Sequence, residues 1–333
     1  MAGARVLYQS LIAPFRGELR GKRQLIIAAG GVLARIPFSV LRADADGAAA
    51  RWLIQDFSIA HVPSVSAWMA VRQLSAKLQA REALAGWGDP QFTNRPSLRA
   101  ASGLREVVLT RARSEFVADG NAQGSKVIYS QLPPLPETRD ELLAIAASLN
   151  VDPTKSIYLG ARATRASVLD LNRSGELARR RVIVFATHGL MADDLPNLNQ
   201  PALALAATEG DGADPLAPLL KLDDVLTLRL NADWVVLSAC NTAADDGRAE
   251  EALSGLARGF FYSGARSMLA THWSVESESA KLLTTRTFEH YTANQGAGKA
   301  ESLRQAMLQL MVLPQYAHPS FWAPFVLVGD GGR

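Results

Sequence analysis

Two short apolar runs, ending 52 residues apart at positions 188 and 240, constrain this chain more than any other feature. They read Arg181-Val-Ile-Val-Phe-Ala-Thr-His188 and Trp234-Val-Val-Leu-Ser-Ala-Cys240. A strand with one wet face alternates apolar and polar residues. A continuous apolar run rich in β-branched side chains marks a strand covered on both faces, the habit of parallel sheets packed between helices.

The rest of the chain repeats that alternation. A helical pattern over Val6–Leu19 leads to an apolar run from Gln24 that stops at Gly30-Gly31, then to an extended run over Trp52–Val62. Helical periodicity follows over Ser64–Arg81, with a serine as N-cap. Leu84–Pro90 reads as a strand. Residues 91–136, rich in Arg, Ser, Gly and Pro, read as a long loop or poorly ordered insert. Helix Glu137–Leu149, strand Ser156–Gly160 and helix Ala166–Leu177 precede the first long apolar run. A loop over Met191–Pro218, holding an extended patch at Ala202–Ala206, and a helical turn at Asp223–Leu230 separate it from the second. Helix Glu250–Gly264, strand Ser267–Trp273, helices Glu276–Tyr291 and Lys299–Val312, and strand Pro324–Gly329 complete the series. Such alternation predicts an α/β fold with a mostly parallel sheet and helices on both faces. A boundary near residue 82 divides an N-terminal subdomain, 1–82, from the main domain, 83–333.

Composition narrows the function classes. Hydrophobic residues make up 48% and charged residues 20%, enough apolar material for a sizeable core. The net charge is +3, from 35 basic and 32 acidic side chains spread along the chain, so no nucleic-acid binding is expected. No run of about 18 apolar residues exists to span a bilayer, and no membrane association is expected. A single cysteine excludes an intrachain disulfide and a cysteine-based metal cluster. No secretory signal pattern opens the chain. A cytoplasmic protein without metal or cofactor is the expectation.

Reactive groups in parallel sheets gather where strands end at their carboxyl edge. His188 ends one long run and Cys240 the other. Each alone is ordinary, because a lone Cys in an apolar strand usually serves as a small buried hydrophobe. Together they supply what attack on an amide carbonyl needs. The thiolate is the nucleophile, and imidazole, with an unperturbed pKa of about 6.5, exchanges the proton. The spacing matches that of caspases, whose His lies about 50 residues before the Cys. Other candidates fall away. Gly296-Ala-Gly-Lys-Ala300 lacks the strand, the first Gly and the Ser or Thr of a phosphate loop. His272, His290 and His318 lack metal-ligand spacing, and no Gly-x-Ser-x-Gly elbow exists.

Phe185-Ala-Thr-His-Gly189, Val235-Val-Leu-Ser-Ala-Cys-Asn-Thr242 and Leu253-Ser-Gly-Leu-Ala-Arg-Gly-Phe260 resemble the CHAT domain family of caspase-like cysteine peptidases, relatives of separases and caspases. So do Tyr262–Ser267, Ala270-Thr-His-Trp273 and Trp322-Ala-Pro-Phe-Val-Leu-Val-Gly329, and the resemblance reaches back through Leu135–Ala163, Leu84–Pro90 and Leu11–Ser66. One departure is Ala29-Gly30-Gly31, where the family commonly has Pro-Asp-Gly.

The resemblance implies a caspase-like three-layer sandwich whose first 82 residues are a smaller, inactive caspase-like remnant. It implies a cysteine endopeptidase acting through a His188–Cys240 dyad, with an oxyanion hole at the Gly189 and Cys240 backbone. The protein substrate would lie extended near Thr271–Glu276, with Ser238, Thr271, Trp273 and Glu276 lining its site. Ser238 stands where relatives that cut after basic residues often carry an acid, which leaves Glu276 as the acid available there. Activation by a regulatory protein or a tetratricopeptide-repeat partner is expected. The competing expectation is a catalytically silent caspase-like interaction module.

Overall fold

The computed structural model describes residues 2–43, 51–74, 82–92, 129–211, 214–238, 255–273, 275–294 and 296–332. Among them the strands are β1 (Gln24–Ile27), β2 (Arg42–Ala43), β3 (Arg51–Trp52), β4 (Ser58–His61), β5 (Glu82–Pro90), β6 (Ile157–Gly160) and β7 (Arg180–Ala186). They continue as β8 (Gly189–Leu190), β9 (Ala202–Ala204), β10 (Leu219–Lys221), β11 (Trp234–Leu237), β12 (Ser267–Thr271) and β13 (Phe325–Gly329).

Eight of these form one sheet in the order β1-β4-β13-β12-β11-β7-β5-β6. The two long apolar runs lie side by side as β7 and β11, paired in parallel from Val182 with Trp234 to Phe185 with Leu237. The mostly parallel α/β sheet expected from the sequence is what forms. One pair departs from it: β13 runs antiparallel to β12, with Thr271 opposite Phe325 and Ser267 opposite Gly329.

Successive residues of the central strands feed two separate cores, which explains why these runs are apolar at every position. Val182, Val184, Trp234, Val236, Leu269 and Leu327 pack with Leu142, Leu283, Phe288 and Met307 of the helices Glu137–Ser148, Ser277–Ala293 and Lys299–Met311. Ile183, Phe185, Val235, Leu237, Met268 and Val326 pack on the other face with Val168, Val225 and Phe260. Phe185 stacks on Trp87 at 5.0 Å, and Trp87 stacks on Tyr158 at 5.2 Å. The Trp87 indole N–H meets Ser167 at 2.9 Å, so its polar edge is satisfied inside the core.

The segment before residue 82 supplies the sheet's outer strands on one side. β1 and β4 pair in parallel, and β4 reaches β13 through His61 and Val328. Two local expectations change here. The pattern over Val6–Leu19 breaks into the helix Ala2–Leu11, a turn at Ala13–Phe15 and a short helix Arg16–Leu19, because Pro14 cannot sit inside one helix. The run over Trp52–Val62 is interrupted by a helical turn, Leu53–Asp56, where Gln55 accepts a bond from the Trp52 N–H at 2.8 Å. The Gly296–Lys299 stretch opens a helix, yet its first N–H groups are taken. Lys299 and Ala300 donate to the carbonyls of Gly332 and Gly331, each at 3.1 Å.

Candidate functional site

His188 stands just past the end of β7, and its backbone is held before its side chain does anything. The Ala204 N–H of β9 donates to the His188 carbonyl at 3.0 Å, and the Thr187 hydroxyl donates to the Ala204 carbonyl. The small antiparallel sheet β10-β9-β8 thus fixes the point where the chain leaves the main sheet. Gly189 sits opposite Leu203. With the bond on the preceding residue, Gly189 and Leu203 form a pair that exchanges no hydrogen bonds, so the Gly189 N–H points away from β9.

The imidazole is buried, 8% exposed, and its Nε2 lies 2.8 Å from the Pro133 carbonyl oxygen. A carbonyl only accepts, so Nε2 carries hydrogen in the neutral ring and Nδ1 is the nitrogen that takes up a proton. Phe92 lies against the ring at 5.4 Å and forms an edge contact with Tyr129 at 5.7 Å. Tyr129 donates its hydroxyl to the Leu205 carbonyl. Burial, aided by Asp211, pushes that phenol well above its ordinary pKa, so it remains a donor at any working pH. These residues join Leu190, Leu195 and Leu198 in a third apolar cluster beneath the histidine.

Sequence reasoning missed Phe92, Tyr129 and Pro133. All three lie in residues 91–136, read as a loop or disordered insert. The described ends of that stretch instead pack on the histidine. Pro133, Pro134 and Pro136 were the available signal, since closely spaced prolines stiffen a segment that has something to hold.

Cys240 lies outside the described residues. The strand leading to Cys240 is described as far as Ser238. Ser238 is buried, and its N–H donates to the Phe185 carbonyl at 3.0 Å, extending the β7–β11 ladder. Every pair of that ladder joins positions 52 apart, from 182 and 234 through 185 and 237.

The remaining expected residues sit at the end of β12. Thr271 is buried opposite Phe325, and β12 lies between β11 and β13, with its β11 pairs at Met268 and Leu269. Trp273 stacks on His272, with ring centroids 6.4 Å apart. Glu276 is the N-cap of the helix Ser277–Ala293, where its two carboxylate oxygens accept from Glu278 N–H at 2.9 Å and Ser279 N–H at 2.7 Å. Its carboxylate is committed to the helix. Asp194 likewise closes a turn on the Met191 N–H at 2.8 Å.

A pair of histidines lies at the ends of β4 and β12. His61 and His272 have centroids 6.3 Å apart and line a cavity walled by Phe38, Ile59, Leu303 and Met307. Burial, then the neighbouring His272, holds the His61 pKa down to about 3, and burial holds that of His272 to about 4. Both rings are neutral across the physiological range.

A family model described as CHAT domain matches residues 2–330. Tetratricopeptide repeat protein 28 of Mus musculus is 26% identical over 362 residues, and its Homo sapiens counterpart 25% over 359. Each match takes in 98% of this chain but spans only 13% of the relative's length. Among solved structures, the Saccharomyces cerevisiae separase in its complex with securin superposes with a TM-score of 0.52. It is 10% identical, over 92% of this chain and 15% of that one. At that identity the likeness concerns the fold, and the fold is caspase-like as expected.

Proposed function

This chain belongs to the CHAT domain family, and on that premise we propose that it is a cysteine endopeptidase in which His188 and Cys240 act together. The observation that carries the proposal is the β7–β11 register. Its constant offset of 52 positions equals the interval from His188 to Cys240. An equal offset is what a dyad reaching from the carboxyl ends of two neighbouring parallel strands requires.

Each group has a task in that arrangement. Nδ1 of His188 accepts the Cys240 thiol proton, and the resulting thiolate attacks the scissile carbonyl. Pro133 holds the opposite edge of the ring and stabilises the imidazolium through a charge-assisted bond from Nε2. The Gly189 N–H, turned away from β9, and the Cys240 N–H stabilise the oxyanion, at about 2.7–4 kcal/mol per donor in comparable sites. The imidazolium then protonates the leaving amine, and water releases the acyl group.

The extended substrate is assigned near Thr271–Glu276, past the β11 pairs of β12 at Met268 and Leu269, with Trp273 as a wall. Ser238, buried just past β11, is assigned to the substrate site two positions before the nucleophile. Glu276 is a helix cap in this reading and not a specificity acid. The 1–82 segment serves as an inactive remnant bearing on the active half through β4 and β13. The relatives' name is what favours a tetratricopeptide-repeat segment or partner as the regulator in this reading.

The test is cleavage of a proteome-derived peptide library by the chain and by Cys240→Ala and His188→Ala. Cleavage lost in both variants is expected. Cleavage persisting in Cys240→Ala overturns the assignment of the nucleophile.

A further inference from the structure

We propose that β1 is a docking edge whose occupant is β1 of a second copy of this chain, added antiparallel. β1 is the outermost strand of the main sheet and has a neighbour, β4, on one side only. In a parallel ladder each residue turns both of its main-chain groups the same way, and successive residues alternate. The Ser58 N–H donates to the Arg23 carbonyl and the Val62 N–H to the Ile27 carbonyl, each at 2.9 Å. Odd-numbered positions therefore serve β4, and the N–H and C=O groups of Gln24, Ile26 and Ala28 point out of the sheet. Among the described residues nothing bonds to those groups.

The two edges of the sheet differ. Edge strands are ordinarily blunted by a charge, a proline or a covering segment. At β6, the opposite edge, the Arg162 guanidinium donates to the Ile157 carbonyl at 3.0 Å. β1 has no such guard: from Gln24 to Ala34 the chain holds neither a charged residue nor a proline. Gln24, Ile26 and Ala28 are exposed, Ile26 by 42%, while Leu25 and Ile27 lie half-buried against the core. An unpaired row of main-chain donors and acceptors is matched by another strand.

The strand is complementary to itself. In the antiparallel register that sets Ile26 opposite Ile26 of the second copy, Gln24 stands opposite Ala28, so outward groups meet outward groups throughout. The exposed apolar side chain then lies at the two-fold axis and is covered by its own counterpart. Charge fixes the direction. Lys22 and Arg23 immediately precede β1, so parallel copies would set like charges side by side. Antiparallel copies set these cations beside the uncharged Gly30 and Ala29 of the other copy instead. A ladder of about five residues a side buries less than about 1,000 Å², the range of weak, reversible complexes, so the association depends on concentration.

Sedimentation equilibrium of the full chain from about 1 to about 200 μM tests this. The expected result is a mass that rises from one chain toward two. Ile26→Lys and Ile26→Glu each set like charges face to face and are expected to weaken the association by about tenfold. Mixing these two variants in equal amounts restores it, because opposite charges then meet. Cys240→Ala associates like the parent, so the outcome is separate from the proposed peptidase activity. A parent that stays a single chain throughout, growth past two chains, or undiminished association in both variants overturns the proposal. So does a mixture no better than either variant alone. If a variant fails to fold, amide exchange of the parent decides the matter: the Gln24 and Ile26 N–H groups exchange more slowly as concentration rises, and exchange independent of concentration overturns the proposal.

Discussion

The Nε2 of His188 lies 2.8 Å from the carbonyl oxygen of Pro133, more than fifty positions earlier in the chain. That bond selects the tautomer with hydrogen on Nε2, and Phe92 packs against the ring at 5.4 Å, tilted by 42°. Nitrogen-15 spectra of the neutral ring are expected to show hydrogen on Nε2. Phe92→Leu keeps the apolar bulk but not the ring contact, and is expected to slow alkylation of Cys240 by up to about a hundredfold, with melting temperature little changed. Pro133→Ala keeps the accepting carbonyl and is expected to change the rate far less.

Acid is expected to destabilise the fold through His61 and His272. Unfolded, each titrates near 6.5; folded, they titrate at about 3 and about 4. Between those limits the unfolded chain binds more protons, so stability is full above pH 6.5 and falls as the pH drops toward 4. Melting temperatures followed by circular dichroism check this. Replacing both residues with Phe is expected to flatten the profile across that window. A parent profile already flat from pH 7 to 4 contradicts it.

Glu276→Ala removes the cap from the helix Ser277–Ala293 and is expected to lower stability by about 1 kcal/mol. Any preference at the cleaved bond is expected to remain as it was. A loss of cleavage after Arg or Lys without loss of stability would make Glu276 a specificity residue instead.

Backbone constraint is separable from crowding at two glycines. Gly264 has φ +110°, and an added Cβ would lie 2.3 Å from the Leu230 carbonyl oxygen. Gly175 has φ +80° with nothing within 4 Å. Gly264→Ala is expected to cost more than about 2 kcal/mol, and Gly175→Ala only the strain of the left-handed conformation, about 1 kcal/mol. Urea unfolding of the two variants compares them directly.

The central sheet was legible in the sequence because strands covered on both faces cannot hide their apolar runs. Ile183 and Val184 belong to different cores, yet both must be apolar. The antiparallel entry of β13 was not legible, since Phe325–Gly329 is apolar in either direction. His188 was visible through its place at a strand end. Its supports were not, because Phe92 and Pro133 act through a ring face and a main-chain carbonyl, neither of which leaves a residue-type pattern. The capping of Ser277–Ala293 by Glu276 was legible too, since an acid two and three residues before Glu278 and Ser279 has the spacing of an N-cap.

The chain's single cysteine makes one measurement decisive: the pH dependence of its alkylation by iodoacetamide in the parent and in His188→Ala. The expected result is a thiolate reactive well below the ordinary thiol pKa of about 8.5 in the parent, reverting to ordinary behaviour when the imidazole is removed. Identical profiles in the two proteins would mean that His188 and Cys240 do not share a proton, and the dyad would be wrong.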